Sequence, residues 1–154
     1  MRGDSATGDS ELNALISSLL QLAEHRICIT TAYFVPDEEL LQRLCEAAKR
    51  GVHVQILLPG PHADKRFVQV EAEADYNRLL EDGVELWNFQ VPMLHAKIMT
   101  MDGLIANVGS ANFNFRSLRC DDEINFVAFD PEFVAALDDH FDHDLERSKK
   151  IDLQ

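Results

Sequence analysis

The chain is short of cysteine, of basic residues and of long apolar runs, and each shortage removes a class of protein. Its three cysteines, Cys28, Cys45 and Cys120, are an odd number without framework spacing. That excludes a disulfide-stapled secreted module and predicts reduced, buried thiols in a cytosolic domain. Lysine and arginine total 14 against 27 aspartates and glutamates, a formal net charge of −13 at pH 7. Non-specific binding to nucleic acid needs a basic surface that displaces counterions, so nucleic acid is an unlikely partner. Electrostatic attraction to anionic lipid is disfavoured for the same reason. No run of about 18 apolar residues exists, so no transmembrane helix is expected. Met1 to Ser10 is polar and small and shows no signal-peptide pattern, so the expected location is cytoplasmic, or peripheral on a membrane. Repeats and low-complexity tracts are absent. What remains, 154 residues of which 46% are hydrophobic, suits one globular domain with a substantial core.

Residues 1–9 read as a flexible lead and residues 10–154 as a single domain. Ser10 can cap a helix to about residue 24, with Leu12, Leu15, Ile16, Leu19, Leu20 and Ala23 on one face. Arg26–Tyr33 predicts a strand. Asp37 caps a second helix, with Leu40, Leu41, Leu44, Cys45 and Ala48 on its apolar face and Gly51 at its end. Strands follow over Val52–Leu58 and Val84–Phe89, separated by a helix from about Phe67 to Glu81. A hairpin over 94–110, a short turn or helix near 113–119 and a strand over Glu123–Phe129 come next. Pro131 starts a last helix in which Phe133, Leu137, Phe141 and Leu145 recur every four residues. Early alternation of helix and strand with a late hairpin predicts the α/β class, a mixed β-sheet sandwiched between helices.

The densest chemistry lies at 95–112: His95-x-Lys97, then Asp102-Gly103, then Gly109-Ser110-x-Asn112. His95 and Lys97 are two apart and share a face if extended. Asp102-Gly103 between two apolar runs is a strong hairpin signal. A two-residue loop pairs Met101 with Leu104 and brings Ser110 opposite His95, with Asn112 two residues on. A histidine, an ammonium, a hydroxyl and an amide would then converge at the open end of the hairpin. Such a set can hold and attack a phosphate.

This spacing resembles the HKD motif of the phospholipase D superfamily. Thr31–Asp37, Ala47–Val54, Ile56–Gly60, Met93–Lys97, Gly109–Asn112 and Arg116-Ser117 are similar to segments of bacterial cardiolipin synthases. From about residue 10 to residue 151 the chain resembles the second half of such a synthase. It departs in having one motif where relatives carry two or dimerise, and in having Asp121 where relatives often have Asn. The resemblance implies phosphodiester or phosphatidyl transfer through a phosphohistidine, with phosphatidylglycerol or a related phospholipid as substrate and an alcohol as acceptor. It implies no cofactor and no metal. It also implies a partner, either a second copy in a homodimer or a second HKD half.

On this reading His95 is catalytic, as nucleophile or as general acid, and Lys97 is both catalytic and a phosphate ligand. Ser110 and Asn112 bind phosphate, against the plainer reading as turn residues after Gly109. Glu123 lies in the run Asp121-Asp122-Glu123, which alone would read as a solvated edge. The resemblance sets it against the second ring nitrogen of the histidine. Asp102, seven residues from His95 along an extended strand, is expected to shape the turn and take a structural salt bridge, not to do chemistry. Phe113 and Phe115 read equally as core or as the lining of a lipid entrance. Asp139 and His143, four apart on a helix, read as part of a solvated acidic face, not a metal site. Alternatives to the transferase are a lipid or nucleic-acid phosphodiester hydrolase, and a catalytically incomplete half-domain of a two-motif enzyme.

Overall fold

Described elements run from α1 (Glu11–Leu22) through β1 (Arg26–Thr30), β2 (Phe34–Val35), α2 (Glu38–Lys49), β3 (His53–Pro59) and α3 (Gln69–Glu81) to β4 (Glu85–Phe89). Then come β5 (Ile98–Met101), β6 (Ile105–Gly109), β7 (Phe113–Asn114), β8 (Asn125–Ala128), α4 (Pro131–Glu146) and β9 (Ser148–Lys150). This computed structural model describes residues 11–60, 69–114, 117–118 and 122–153. The expected lead at 1–9, the Ser10 cap, the helix start at Phe67, and Phe115, Arg116, Cys120 and Asp121 lie outside those residues.

The apolar runs at β1 and β3 are buried on both faces, as parallel strands between helix layers must be, and β4 buries Leu86 on one face and Phe89 on the other. They pair in parallel, Ile27 with Val54 and Ile56 with Leu86. The full sheet order is β8-β6-β5-β1-β3-β4-β9, and β5, β6, β8 and β9 are each antiparallel to the strand they join. β2 and β7 form a separate parallel pair. Ile27, Ile29, Val54, Ile56 and Leu58 face a core shared with Leu12, Ile16 and Leu20 of α1, Leu41 and Leu44 of α2 and Leu79 of α3. The alternate residues Cys28 and Leu57 join Phe89 and meet Phe141 of α4. The fold is therefore α/β, a mixed sheet with helices on both faces. Burial pushes the Cys28 thiol up to about 12 and the Cys45 thiol up to about 11, so both are unreactive.

Three local expectations change. β1 stops at Thr30 because Thr31, fully buried, turns the chain: its Oγ1 donates to the Tyr33 carbonyl at 3.0 Å and accepts the Phe113 N–H at 3.2 Å. The face of α4 is not simply a solvated acidic surface. Asp138 accepts a hydrogen bond from the Thr100 hydroxyl and Asp142 pairs with Arg26, so both carboxylates meet the sheet. Correspondingly Val134 and Phe141 are the buried apolar residues of α4, while Phe133 is exposed.

At the other sheet edge Glu85 collects Lys150 Nζ at 3.0 Å, Gln55 Nε2 at 3.0 Å and Trp87 Nε1 at 3.2 Å. Burial alone would raise its pKa, but these three donors outweigh it and hold the carboxyl at about 2. A depressed carboxyl stabilises the fold above its ordinary pKa and loses that contribution as pH falls toward about 2. Glu85→Gln should therefore lower Tm at neutral pH and flatten its fall between pH ~4.5 and ~2, the window set by the ordinary and shifted values. Thermal melts across that range check it, and parallel parent and variant curves would refute it.

Candidate active site

The hairpin that carries the motif is displaced by one residue from the expected register. Met101 pairs with Ile105 and Ile98 with Val108, so Asp102, Gly103 and Leu104 all lie in the connection. The cause is at the turn. Asp102 and Gly103 take φ of 54° and 67°, and the Leu104 N–H closes on the Met101 carbonyl at 3.0 Å. The Gly109 N–H then donates to the Lys97 carbonyl at 3.2 Å. Ser110 is thus not directly opposite His95. Even so, His95, Lys97, Ser110 and Asn112 line one concavity, with Ile98, Val108 and Gly109 as its floor. It lies on the rim of the sheet where β1, β3 and β4 end and β5 begins.

Each side chain has a structural reason for its place. His95 is exposed, and its carbonyl accepts a hydrogen bond from Lys97 Nζ at 2.7 Å, which ties the ammonium back beneath the imidazole-bearing residue. Lys97 is itself buried. Burial lowers its pKa, and the Glu123 carboxylate offsets part of that. A desolvated ammonium here is a strong complement to a phosphate oxygen. The Ser110 hydroxyl donates to Glu123 and accepts the Ile124 N–H at 3.0 Å, which fixes the start of β8 to the end of β6. Asn112 Oδ1 accepts the Tyr33 N–H at 3.2 Å, which fixes the side chain at the rim. Glu123 therefore contacts Ser110 and the field of Lys97, and makes no hydrogen bond to the His95 ring among the described residues.

Asp102 is remote from this rim. Its carboxylate accepts the backbone N–H groups of Glu24 at 2.9 Å, His25 at 2.8 Å and Arg26 at 2.8 Å. The partner is a row of amides, not the cation of a salt bridge. Burial opposes ionisation, but these amides lower the pKa. Phe113 is 1% exposed and belongs to the core, not to an entrance.

Sequence reasoning missed the polar scaffold behind the rim. Asn125 is buried; its Nδ2 donates to the buried Asn107 Oδ1 at 3.0 Å and its Oδ1 accepts the Ala111 N–H at 3.3 Å. A Cβ on Gly109 would come within 2.3 Å of both Asn125 Oδ1 and the Ile124 carbonyl, so glycine is required there. The available signal was an asparagine at an inward strand position beside a glycine, where apolar residues are the norm. Among the described residues no group of three or more His, Cys, Asp or Glu could hold a metal ion, Asp139 and His143 included.

A family model described as "Cardiolipin synthase, PLD-like domain" matches residues 16–145. A cardiolipin synthase of Oceanobacillus iheyensis is 38% identical over 93% of this chain and 30% of its own length. A probable cardiolipin synthase, YwiE, of Bacillus subtilis is 33% identical over 91% of this chain and 28% of its own. The chain thus spans under a third of these curated relatives. Among solved structures, Nuc from Salmonella typhimurium, a phospholipase D family member, superposes with a TM-score of 0.82 at 21% identity, covering 98% of this chain and 96% of that one. Phosphatidylserine synthase from Haemophilus influenzae superposes at 0.78 and 19% identity, covering 98% of this chain and 39% of that one. At these identities the structures establish the fold.

Proposed function

Because the chain belongs to the family of cardiolipin synthase PLD-like domains, we propose that it forms one half of an active site for phosphatidyl transfer. The observation that carries this is the single concavity lined by His95, Lys97, Ser110 and Asn112. A phosphodiester placed there meets the Lys97 charge and the Asn112 amide, while the Ser110 hydroxyl, whose proton goes to Glu123, holds that carboxylate at the rim. In the first step an imidazole nitrogen bonds to phosphorus, the P–O bond to the departing glycerol breaks, and a second, protonated imidazole gives that oxygen its proton. In the second step the same imidazole, now neutral, takes the proton of an incoming alcohol whose oxygen bonds to phosphorus and frees the first. With phosphatidylglycerol as donor and a second phosphatidylglycerol as acceptor, the products are a doubled phospholipid and glycerol.

Two histidines are needed, and among the described residues the concavity contains one. Among the described residues His25 and His53 stand at the opposite ends of β1 and β3, and His140 and His143 lie on α4. The second imidazole comes from another HKD half, in the same protein or in a second copy. A surface fit for such a partner adjoins the site: Ile124, Phe126 and Phe129 on and around edge strand β8 are 74%, 64% and 74% exposed, immediately after Glu123. Apolar edges of this kind mark association surfaces. His95 serves as nucleophile or acid according to which half it faces. The test is glycerol release from phosphatidylglycerol vesicles across a protein dilution series, alongside sedimentation. Specific activity should track the fraction assembled with a second motif. Full activity in a strict monomer would refute the requirement.

Glu123 serves this site by holding Ser110 and by supporting the charge on Lys97. With its carboxylate gone, burial acts on Lys97 unopposed. Glu123→Gln should therefore move the alkaline limb of the pH–rate profile to lower pH, because Lys97 would lose its proton sooner. An alkaline limb that stays in place would return Glu123 to a merely structural role.

A further inference from the structure

His95 borders a second cavity, on the side away from Ser110. It is a cleft of about 280 Å³ over the carboxyl ends of β1, β3 and β4, and its walls include Tyr33, Phe89, Val91, Pro92, Met93 and Leu94. We propose that this cleft receives the glycerol unit and the first methylenes of the lipid whose phosphate lies at Lys97. Val91 and Met93 are then the residues that distinguish an acylated phosphodiester from a bare one. The inference rests on the phosphatidyl-transfer reading above.

Three observations select that occupant. First, the two cavities share His95, so one molecule with its phosphorus at His95 reaches both. Its charged oxygens match the lysine side and its hydrocarbon matches the apolar side. Second, the volume lies at or below the low end of small-molecule sites, roughly 300–1,000 Å³. It admits a glycerol unit and a short length of chain, not a whole lipid tail. Third, the segment leading into the motif presents hydrocarbon to solvent. Met93 is 92% and Val91 40% exposed, and Met93 holds a left-handed φ of 74°. A methionine in that conformation is uncommon and is kept where its direction matters. Its flexible thioether suits contact with a chain of no fixed shape. With a net charge of −13 the protein as a whole gains nothing from an anionic lipid surface, so apolar contact beside the site has to supply the discrimination.

The probes are dihexanoyl phosphatidylglycerol, kept monomeric, and glycerophosphoglycerol, the same phosphodiester without chains. Calorimetric titration into the full chain should show the acylated probe binding about tenfold tighter, the effect of burying two methylenes. The Val91→Asn, Met93→Gln double variant should bind the acylated probe no better than the bare one, with the bare affinity kept. Both side chains are exposed at the surface, so the fold is preserved, and an unchanged melt verifies it. Equal affinity for the two probes in the parent chain would overturn the proposal, as would a parallel loss of both in the variant. Lys97→Ala separates the two levels. It should weaken both probes alike, and if it changes neither, the phosphate reading itself fails. Binding of neither probe would overturn both.

Discussion

Replacing His95 with alanine should abolish phosphatidyl transfer in the assembled enzyme, a loss of roughly 10³-fold or more, while Tm stays within about 1 °C of the parent. The two halves of this expectation come from different parts of the structure. The imidazole is exposed and its ring makes no hydrogen bond among the described residues, so its removal leaves no buried group unpaired and no cavity. The tether of Lys97 goes to the main-chain carbonyl of residue 95, not to the ring, and survives the substitution. What disappears is the group that bonds to phosphorus or protonates the leaving alcohol, and among the described residues no other histidine lines the concavity. Turnover of phosphatidylglycerol by the variant, with a melt as control, measures both. Residual activity within tenfold of the parent would place the chemistry elsewhere. The parent should also keep its rate in a metal chelator, because the Lys97 ammonium in the same concavity repels a divalent cation. A loss in chelator that added metal restored would refute that.

Asp102→Ala should do the reverse, lowering stability by about 3 kcal/mol and the rate of the folded protein by less than threefold. The carboxylate accepts three consecutive backbone N–H groups, which would be left without this acceptor. Alanine is also poorly suited to the φ of 54° that Asp102 adopts. Asp102→Asn should lie between, because asparagine tolerates that φ but offers one carbonyl oxygen in place of two. Since the native carboxyl has a lowered pKa, its contribution is present above the ordinary aspartate pKa and fades as pH falls through the native value. The acid limb of the stability curve should flatten in both variants. Denaturant melts and single-turnover rates at a temperature where the variant is folded decide it. A loss of over a hundredfold in the folded variant would give this member of the motif a part in the chemistry.

The readable parts of this chain were those where one physical requirement dominates. Asp37 followed by Leu40, Leu41 and Leu44 announces a capped amphipathic helix, and the cap bond is there at 2.8 Å. The apolar stretch from Val54 to Leu58 is a strand buried on both faces because no polar residue but Gln55 interrupts it, and the exposed His53 marks its start. Register was harder. It depends on how one connection accommodates Asp102, whose side chain is engaged by amides 76 to 78 residues away. No local pattern encodes that pull. The β9 strand, Ser148–Lys150, has no apolar residue and earns its place through Lys150 on Glu85 and over the Trp87 ring. Of the site, the residue types and their convergence were legible, while the Asn125–Asn107 support was not, because buried asparagines look like surface residues until their partners are known.

The Asp102 clamp also sets a timetable. During synthesis β1, β3 and β4 can associate by their short crossovers as soon as residue 89 has emerged. The other edge of β1, whose backbone groups pair with Ile98–Met101, must wait for β5. Until Asp102 arrives to grip Glu24, His25 and Arg26, the centre of the finished sheet is an open edge of an unfinished one. The nascent chain is most exposed to wrong pairing in that interval, and the rim bearing His95 is completed only after it closes.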